Sequence, residues 1–244
     1  MTYELNDDDI VDFGFARGRR LRMALPWRHD FIQSTMRKQG RLWLQGELEW
    51  ALKYIPFDPH VVDVGSYTGS SAVWFAAVAG AKGVTAIEPD PFSYSLLEAN
   101  VRLNGLEGKV RTVHSAVWSE CGRACMELDP VGNHGAAAYG PCPRDVEWSV
   151  PMVNLDSILA DRKDKVDVLF ISMEGNDYHA IDGARETISK DRPIMLITTF
   201  PGNSCRADRR YDGLTGQVKL MNALAGLGYS NAGSFYDTTA YLPS

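Results

Sequence analysis

The sequence predicts an α/β fold with a mostly parallel sheet and helices on both faces. Three observations favour it: short apolar runs recur along the chain, helix-like segments separate them, and a glycine-rich turn follows the first run. Strands that alternate with helices are typical of parallel sheets, because each crossover helix returns the chain to the same edge. The predicted strands span residues 60–65, 83–88, 110–117, 166–171 and 193–200.

The predicted helices have recognisable ends. Asn104-Gly105 ends the second of them, as glycine often does just beyond a helix. These helices span residues 69–79, 91–103, 178–189 and 215–227. Two short strands near residues 229–236 and 238–242 would complete the sheet as an antiparallel hairpin.

Residues 1–55 are predicted to form an N-terminal helical cap, and residues 56–244 one main domain. Helix-compatible patterns cover residues 30–38 and 46–54, and Pro56 ends the second. The chain has 244 residues, of which 45% are hydrophobic. That composition is sufficient for one large domain with a substantial core.

A long insertion at residues 118–165 separates the third and fourth predicted strands. It contains a glycine-rich loop at residues 129–135 and, at residues 150–159, a strand that enters a capped helix. Because long loops inside compact domains usually carry function, we assign the insertion to the substrate side of the site.

The four cysteines show no metal-binding spacing. Cys121 and Cys125 are close in sequence, but no histidine or second cysteine pair completes a zinc site. Reduced thiols in a cytoplasmic protein are therefore predicted, and a disulfide within the loop-rich stretch is the alternative. The other two cysteines are Cys142 and Cys205.

The charge balance disfavours nucleic acid as a partner. The net charge is −6, whereas phosphate backbones attract clustered Lys and Arg. We interpret the basic stretch Arg17–Arg22 as a solvated arm, and contact with an anionic substrate is the alternative. The chain lacks an apolar stretch of about 18 residues and a signal-peptide pattern, so we predict no membrane contact and a cytoplasmic location. The sequence leaves the oligomeric state open, with a homodimer as one alternative.

Two acids around a glycine-rich turn predict a site for an adenosine-bearing cofactor. Asp63 lies within an apolar run, Gly65 and Gly69 follow it, and Glu88 ends the next run. Glycine allows the backbone to approach a ligand closely, and a carboxylate at a strand tip can accept hydrogen bonds from a ribose diol. The predicted cofactor contacts are Asp63, Gly65, Ser66, Tyr67, Gly69, Glu88 and Pro89, with Ser115 and Ala116 beside the adenine.

The glycine spacing distinguishes among adenosine cofactors. A dinucleotide fingerprint would require glycine at Tyr67 and Ser70, and a phosphate loop would require Lys after Gly69. The pattern D-x-G-x-x-x-G instead resembles that of S-adenosylmethionine (SAM) methyltransferases, whose cofactor has no phosphate. The resemblance implies that Asp63 serves the positive methionine end, directly or through water.

Further segments carry a resemblance to one family. They are Val61–Gly65 with Gly69, Ile87–Asp90, Leu103–Gly105, Ser115–Val117, Val150-Pro151 with Leu155-Asp156, and Glu174-Gly175 with Ile181 and Gly183-Ala184. Their order and spacing resemble the FkbM-like family of SAM-dependent methyltransferases over roughly residues 25–200. This implies the seven-stranded, Rossmann-like class I methyltransferase fold. It also implies O-methylation of hydroxyls or carboxyls on small natural products and sugars.

The chain departs from the family pattern on the acceptor side. Where the family usually has Lys-x-Asp-x-Glu-Gly, Phe170 stands at the Lys position and Ser172 at the Asp position, while Glu174 is kept. The second acid is kept as Asp177. The Tyr-Glu pair that often precedes the first strand reads Trp43-Leu44 here.

Catalytic candidates must position the acceptor and remove its proton. Glu174, at the tip of the fourth strand, could do either, or could cap the following helix. Asp177 has the same two roles, with capping favoured, while His179 and His134 are candidate general bases. Ser172 replaces the acid that would have joined Glu174 in a metal site, so no metal is predicted.

We therefore predict a SAM-dependent methyltransferase that acts on an oxygen of a small-molecule acceptor, in natural product biosynthesis. The alternatives are a catalytically altered SAM-binding or assembly subunit and an N-methyltransferase of a small molecule or peptide. The glycine spacing disfavours a nicotinamide oxidoreductase. A nucleic-acid adenine methyltransferase is disfavoured because its Asp/Asn-Pro-Pro-aromatic motif is absent, and Ser172–Gly175 stands there instead.

Overall fold

The computed structural model describes residues 3–127, 137–142, 146, 148–199 and 213–244. Its strands are β1 (Ile10–Ala16), β2 (Arg19–Ala24), β3 (His60–Val64), β4 (Gly83–Glu88), β5 (Val110–His114), β6 (Ala116–Val117), β7 (Gly122–Glu127), β8 (Ala138–Pro141), β9 (Val150–Val153), β10 (Val168–Ile171), β11 (Ile194–Thr198), β12 (Tyr229–Phe235) and β13 (Thr238–Pro243). Its α-helices are α1 (Phe31–Gln39), α2 (Gln45–Ala51), α3 (Ser70–Trp74), α4 (Pro91–Leu103), α5 (Leu155–Ile158), α6 (Asp177–Asp182), α7 (Arg185–Asp191) and α8 (Gly213–Gly226).

A mostly parallel sheet of seven strands organises the described part of the chain. The strand order is β12-β13-β11-β10-β3-β4-β5. The five strands from β11 to β5 run parallel, β13 is antiparallel to β11, and β12 is antiparallel to β13. The predicted fold class and terminal hairpin are confirmed. β3 and β10 lie side by side where the strand order reverses, which is where open α/β sheets bind ligands.

Alternation along β3 shows how both faces of the sheet are buried. Val61 packs with residues of α1 to α4 on one face, whereas Val62 and Val64 pack with residues of α5 to α8 on the other. Successive strand residues point to opposite faces, so a strand covered on both sides must be almost continuously apolar. Asp63 is the polar exception, and it lies fully buried.

The N-terminal region differs from the predicted helical cap. The helices α1 and α2 are present, but β1 and β2 precede them as an antiparallel hairpin. The hairpin turns at Arg17 and Gly18, whose φ angles are 48° and 75°. Two consecutive positive φ angles match the right-handed twist of a two-residue hairpin, and this local geometry outweighs the helical expectation.

The basic stretch holds the hairpin against α4. The Arg19 guanidinium donates to the carbonyl of Asn104 over 2.9 Å, and the Arg22 guanidinium donates to the carbonyl of Leu103 over 3.3 Å. The Asn104 side chain donates to the carbonyl of Arg22 over 2.7 Å. Cations and donors are favourable at a helix C-terminus, where carbonyls lack helical partners. The interpretation of this stretch as a solvated arm is therefore wrong for Arg19 and Arg22.

Two predicted elements are divided. The predicted strand 110–117 breaks at Ser115, because β5 belongs to the main sheet and β6 pairs with β9 in a smaller one. The predicted helix 178–189 breaks into α6 and α7 at Gly183, whose carbonyl accepts from the backbone N–H of Asp156 over 2.9 Å. The helix α3 continues into a π-helical turn, Phe75–Ala79.

The insertion forms a sheet of its own among the described residues. Its strand order is β6-β9-β7-β8, and α5 follows β9. The capped helix predicted here is α5, and its N-cap is Asn154, whose side-chain oxygen accepts from the N–H of Ser157 over 2.8 Å. The predicted glycine-rich loop at residues 129–135 lies outside the described residues.

A disulfide joins Cys125 on β7 to Cys142, just after β8. The prediction of reduced thiols is wrong for this pair, and the disulfide alternative is correct. The pairing of two antiparallel strands brings the cysteines together, which their separation in sequence does not reveal. Cys121 is free and exposed, and Cys205 lies outside the described residues.

Gly65 allows the end of β3 to pass against the end of β10. Its φ is +81°, and a Cβ at this position would overlap the backbone oxygen of Ser172. The N–H of Ser172 donates to the carbonyl of Val64 over 2.9 Å, which holds the two strand ends together. Packing between strands therefore requires a glycine here, independently of any ligand.

Replacement of Gly65 tests this close approach. Gly65→Ala should lower the free energy of unfolding by about 3 kcal/mol or more, because backbone strain and overpacking add. Gly40→Ala is the matched control: its φ is also positive, but nothing lies within 4 Å of the added Cβ. Its free energy of unfolding should fall by only about 1 kcal/mol. Urea denaturation measures both, and equal losses would contradict the role of Ser172.

Candidate functional site

The turn after β3 is fastened to the end of β4. The N–H groups of Gly65 and Ser66 donate to the carbonyl of Ile87 over 3.0 and 3.1 Å. Gly69 has a φ of +85°, and a Cβ there would lie 2.6 Å from the Leu97 side chain. Protein atoms thus occupy the space beside both glycine α-carbons, which differs from the expectation that it admits a ligand.

Glu88 accepts hydrogen bonds from two backbone N–H groups. Tyr67 donates to its Oε2 and Asp90 to its Oε1, both over 2.8 Å. Burial raises the pKa of Glu88 from 4.5 to about 8, although both hydrogen bonds lower it. Each carboxylate oxygen has a second lone pair, so Glu88 can still accept hydrogen bonds from a ligand.

Asp63 lies beneath the turn. The hydroxyl of Ser71 donates to its Oδ2 over 2.7 Å, while its Oδ1 has no hydrogen-bond partner among the described residues. Burial raises the pKa of Asp63 to about 6. Across the sheet its neighbour in register is Phe170, at the position where the family usually has Lys. An apolar side chain therefore stands where a cation could have neutralised this carboxylate.

A cleft opens at the carboxyl ends of β3, β4 and β10. Its lining combines residues of the turn, the strand tips and the insertion. They are Val64, Gly65, Tyr67, Ile87, Glu88, Pro89, Ser115, Ala116, Val117, Ala137, Tyr139, Ser172, Met173, Glu174 and Asn176. Six of the nine predicted cofactor contacts therefore line the same cleft as the catalytic candidate Glu174.

A second pocket, the inner pocket, adjoins the cleft. It is lined by Ile32, Trp43, Leu44, Gly65, Ser66, Tyr67, Ser70, Ser71, Phe170, Ser172 and Glu174. The cleft and the inner pocket share Gly65, Tyr67, Ser172 and Glu174, so they are two parts of one site. Asp63 and Gly69, both predicted as cofactor contacts, line neither part. Asp63 lies behind Ser66 and Ser71.

Glu174 and Asp177 occupy different environments. Glu174 lines both the cleft and the inner pocket, and its φ of 53° is unusual for a residue with a side chain. Asp177 is fully buried and its Oδ1 accepts from the N–H of Met173 over 3.0 Å. Burial raises the pKa of Asp177 to about 6. Asp177 thus closes the turn that presents Glu174, while the N-cap position of α6 is Asn176, whose side chain makes no capping bond.

The two candidate histidines do not join the cleft among the described residues. The His179 ring stacks on Trp118 with a centroid distance of 3.7 Å, and its Nδ1 lies 3.2 Å from the Ser119 hydroxyl. Burial lowers the pKa of His179 to about 4, and Lys219 lowers it further. Its surroundings are those of a packed histidine. His134 lies outside the described residues.

Tyr139 is a site residue that sequence reasoning missed. It reaches the cleft from β8, and its hydroxyl donates to Oδ1 of Asp90 over 3.3 Å. Asp90 also caps α4, accepting from the N–H of Ser93 over 2.7 Å. Only the folding of the insertion over the strand tips places Tyr139 here, and no motif in the sequence signals it.

The described residues contain no group of three or more His, Cys, Asp or Glu side chains that could hold a metal ion. None of their helices combines the length and the apolar character that crossing a bilayer requires. The expectation of no metal stays a prediction.

Solved methyltransferase structures share this fold. The chain is similar to a methyltransferase FkbM from Methylobacillus flagellatus KT, with a TM-score of 0.54 and 19% identity over 76% of this chain and 43% of that one. It is also similar to the tRNA m1G37 methyltransferase of M. jannaschii, with a TM-score of 0.50 and 14% identity over 98% and 58% of the two chains. The fold is therefore Rossmann-like, of the kind that these methyltransferases have. The chain spans less than half the length of the first of these structures.

A family model described as the methyltransferase FkbM domain matches residues 63–229. The chain therefore belongs to the FkbM methyltransferase family, as the resemblance predicted. The match begins and ends later than residues 25–200, and it leaves the N-terminal cap outside. A search of curated proteins found no significant match.

The raised pKa of Glu88 predicts how stability depends on pH. Between its unfolded value of 4.5 and its folded value of about 8, the folded protein holds a proton that the unfolded chain has released. The free energy of unfolding therefore falls as the pH rises through this range. His179 acts oppositely, but only between about 4 and 6.5.

Above pH 6.5 His179 no longer opposes Glu88, so the effect of Glu88 on the free energy of unfolding should be measurable. Urea denaturation at pH 6.5, 7.5 and 8.5 should show a smaller fall in unfolding free energy for Glu88→Gln than for the wild type. The amide cannot ionise and keeps the shape of the side chain. Equal slopes in the two proteins would contradict the raised pKa.

Proposed function

We propose that the protein binds SAM in the cleft and inner pocket and transfers its methyl group to an oxygen of a small-molecule acceptor. The observation that carries this proposal is the position of Glu88. It stands at the tip of β4, hydrogen-bonded to the turn after β3, at the edge of a cleft that Ser115 and Ala116 also line. Membership of the FkbM methyltransferase family supports the same reaction class.

The residues of the cleft suit the adenosine part of the cofactor. Glu88 would accept hydrogen bonds from the ribose diol, and Ser115, Ala116 and Tyr139 would surround the adenine. The apolar side chains of Ile87 and Val117 supply flat, dry walls for the base. This arrangement extends the predicted contacts by one residue, Tyr139.

The inner pocket suits the methionine part of the cofactor. Its Ser66 and Ser71 line the wall in front of Asp63, whose unpartnered Oδ1 favours a nearby positive charge. We propose that Asp63 acts on the cofactor's ammonium from behind this wall, which differs from the first of the two expected modes, direct contact or contact through water. When bound, the sulfonium supplies an activated methyl group.

Cofactor binding tests the proposal. Purified protein should bind S-adenosylhomocysteine in a calorimetric titration, and Glu88→Ala should weaken binding about tenfold or more, because the hydrogen bonds to the ribose diol are lost. Glu98→Ala is the control: Glu98 lies on α4 beside Tyr94 and does not line the cleft. No binding by the wild type would refute the proposal, and wild-type affinity in Glu88→Ala would refute the role of Glu88.

A third pocket, the cap pocket, would give the acceptor access to the cofactor site. It has a volume of about 320 Å³ and is lined by Thr35, Met36, Gln39, Arg41, Leu42, Trp43, Leu44, Gln45, Gly46, Glu47, Tyr236 and Asp237. Trp43 and Leu44 also line the inner pocket. An acceptor held between the cap helices and the β12–β13 turn would thus lie next to the site that Glu174 lines.

Glu174 is the residue we propose to orient and deprotonate the acceptor. It lines both pockets, whereas Asp177 is held by the backbone and His179 by Trp118. A left-handed conformation at a residue that is not glycine is typical of functional sites, where the surrounding structure enforces it. Here Asp177 enforces it by closing the turn at Met173.

This role predicts separate effects on binding and turnover. Once an acceptor is found, Glu174→Gln should lower kcat about a hundredfold or more, as loss of a general base does. Its affinity for S-adenosylhomocysteine should change little. His179→Asn should keep near wild-type kcat. Steady-state methyl transfer measures both, and loss of turnover only in the histidine variant would reverse the assignment.

A SAM-binding subunit without catalysis is the second candidate function. The specific observation is Phe170, an apolar, buried side chain beside Asp63 at the usual Lys position, together with Ser172 at the usual Asp position. Tight binding of SAM without turnover across hydroxyl, carboxyl and amine acceptors would favour this candidate. Turnover of amines alone would instead favour N-methylation.

We propose a cytoplasmic location, and one observation opposes it. Disulfides persist mainly in oxidising compartments, and the structure contains the Cys125–Cys142 bond. Thiol blocking in intact cells followed by mass spectrometry decides between a cytoplasmic location and an oxidising compartment. A cytoplasmic protein should carry blocked, reduced cysteines at both positions. Light scattering of the purified protein shows whether it is a homodimer.

A further inference from the structure

A buried polar network connects the N-terminal cap to the cofactor turn. Gln33, on α1, is fully buried, and its Nε2 donates to the Tyr67 hydroxyl over 2.9 Å. Its Oε1 accepts from the N–H of Trp27 over 2.9 Å, and its own N–H donates to Oδ1 of Asp30 over 2.9 Å. The Gln33 side chain is therefore fixed at both ends, and its amide cannot turn away from Tyr67.

Asp30 acts on the same network through Gln33. Its Oδ1 accepts from the backbone N–H of Gln33 over 2.9 Å, which fixes the start of α1. Burial is the main cause that raises the pKa of Tyr67, and the charge of Asp30 raises it further. The Tyr67 hydroxyl is thus held by Gln33 and lies in the field of Asp30.

The backbone of Tyr67 is in a conformation that needs such support. Its φ is 51°, in the left-handed region that costs a residue with a side chain about 1 kcal/mol. In this conformation the N–H of Tyr67 points at Glu88 and donates to Oε2 over 2.8 Å. A relaxed Tyr67 backbone would remove this donor from the carboxylate that lines the cleft.

We propose that Gln33 and Asp30 are positioning residues of the cofactor site. Asp30 fixes Gln33, Gln33 holds the Tyr67 phenol, Tyr67 keeps its left-handed backbone, and its N–H orients Glu88 for the ligand. The cap therefore determines how well the cleft binds its cofactor. Because coupling between two equilibria is reciprocal, a bound cofactor must in turn stabilise α1 in its docked position. This inference rests on the proposed function.

The cap is not part of the segment that defines the family. The family match begins at residue 63, whereas Asp30 and Gln33 lie well before it. Tyr67 stands at a turn position where a dinucleotide fingerprint would have glycine. The Gln33–Tyr67 contact therefore joins a residue outside the matched segment to a residue within it.

Calorimetric titration with S-adenosylhomocysteine tests the network. Tyr67→Phe and Gln33→Leu should each weaken binding about fivefold or more, which is the effect of one buried hydrogen bond. The double variant should weaken binding no more than the stronger single variant, because both changes remove the same connection. Tyr54→Phe is the matched control: it deletes a hydroxyl that joins the cap to the carbonyl of Ala232 over 2.9 Å, away from the cofactor turn. Its affinity should stay at the wild-type value.

Hydrogen exchange separates positioning from general stability. On addition of S-adenosylhomocysteine, the amides of α1 should become more protected in the wild type and in Tyr54→Phe, and not in Tyr67→Phe. A contact that only stabilised the fold would change the unfolding midpoint and leave this response intact.

The outcomes also separate this inference from the proposed function. A wild type that binds S-adenosylhomocysteine, with folded Tyr67→Phe and Gln33→Leu variants of equal affinity, would overturn the network and leave the proposed function standing. A wild type that does not bind would overturn the proposed function itself. Should Gln33→Leu fail to fold, Tyr67→Phe alone still decides.

Discussion

The close approach of β3 and β10 at Gly65 is the constraint on which the site depends. Because Gly65 has no side chain, the backbone of Ser172 can lie against it, and the turns after both strands open at one edge. One turn then carries Tyr67 and the other carries Glu174, each with a positive φ. A wider separation of the strand ends would leave a groove in place of a cleft shared by both turns. The sheet core behind them keeps these ends in place.

Buried carboxyl groups give the site its electrostatic character. Asp63, Glu88 and Asp177 are each almost fully buried, and burial raises the pKa of each. Backbone N–H groups stabilise Glu88 and Asp177, whereas Asp63 depends on Ser71 and has an apolar neighbour in Phe170. The site therefore gains negative charge as the pH rises, around a space that suits a cationic cofactor. The same charges destabilise the fold as the pH rises, so a bound cation would stabilise it.

Local sequence patterns correctly predicted the elements whose bounds depend on interactions between neighbouring residues. The strand β4 and the helix α4 have their predicted bounds, because an apolar run and a clear N-cap and glycine stop mark them. The hairpin β1–β2 was missed, and although its turn is local, its position depends on contacts of Arg19 and Arg22 with the end of α4. The Cys125–Cys142 bond depends on the pairing of β7 with β8. Tyr139 reaches the cleft only through the same small sheet. Each of these needs contacts between segments distant in sequence.

The sequence by itself determined the α/β sheet, the turn after β3 and the acid at the tip of β4. Periodicity, glycine spacing and strand ends are local properties, and a parallel sheet brings strand ends to one edge whatever lies elsewhere. Only the tertiary structure decided which candidates share the site. It placed Glu174 in the cleft, buried Asp177 against the backbone and packed His179 on Trp118. It also joined Gln33 to Tyr67 across 34 positions of the chain. Such selection depends on burial and on contacts at long range, which no local pattern encodes.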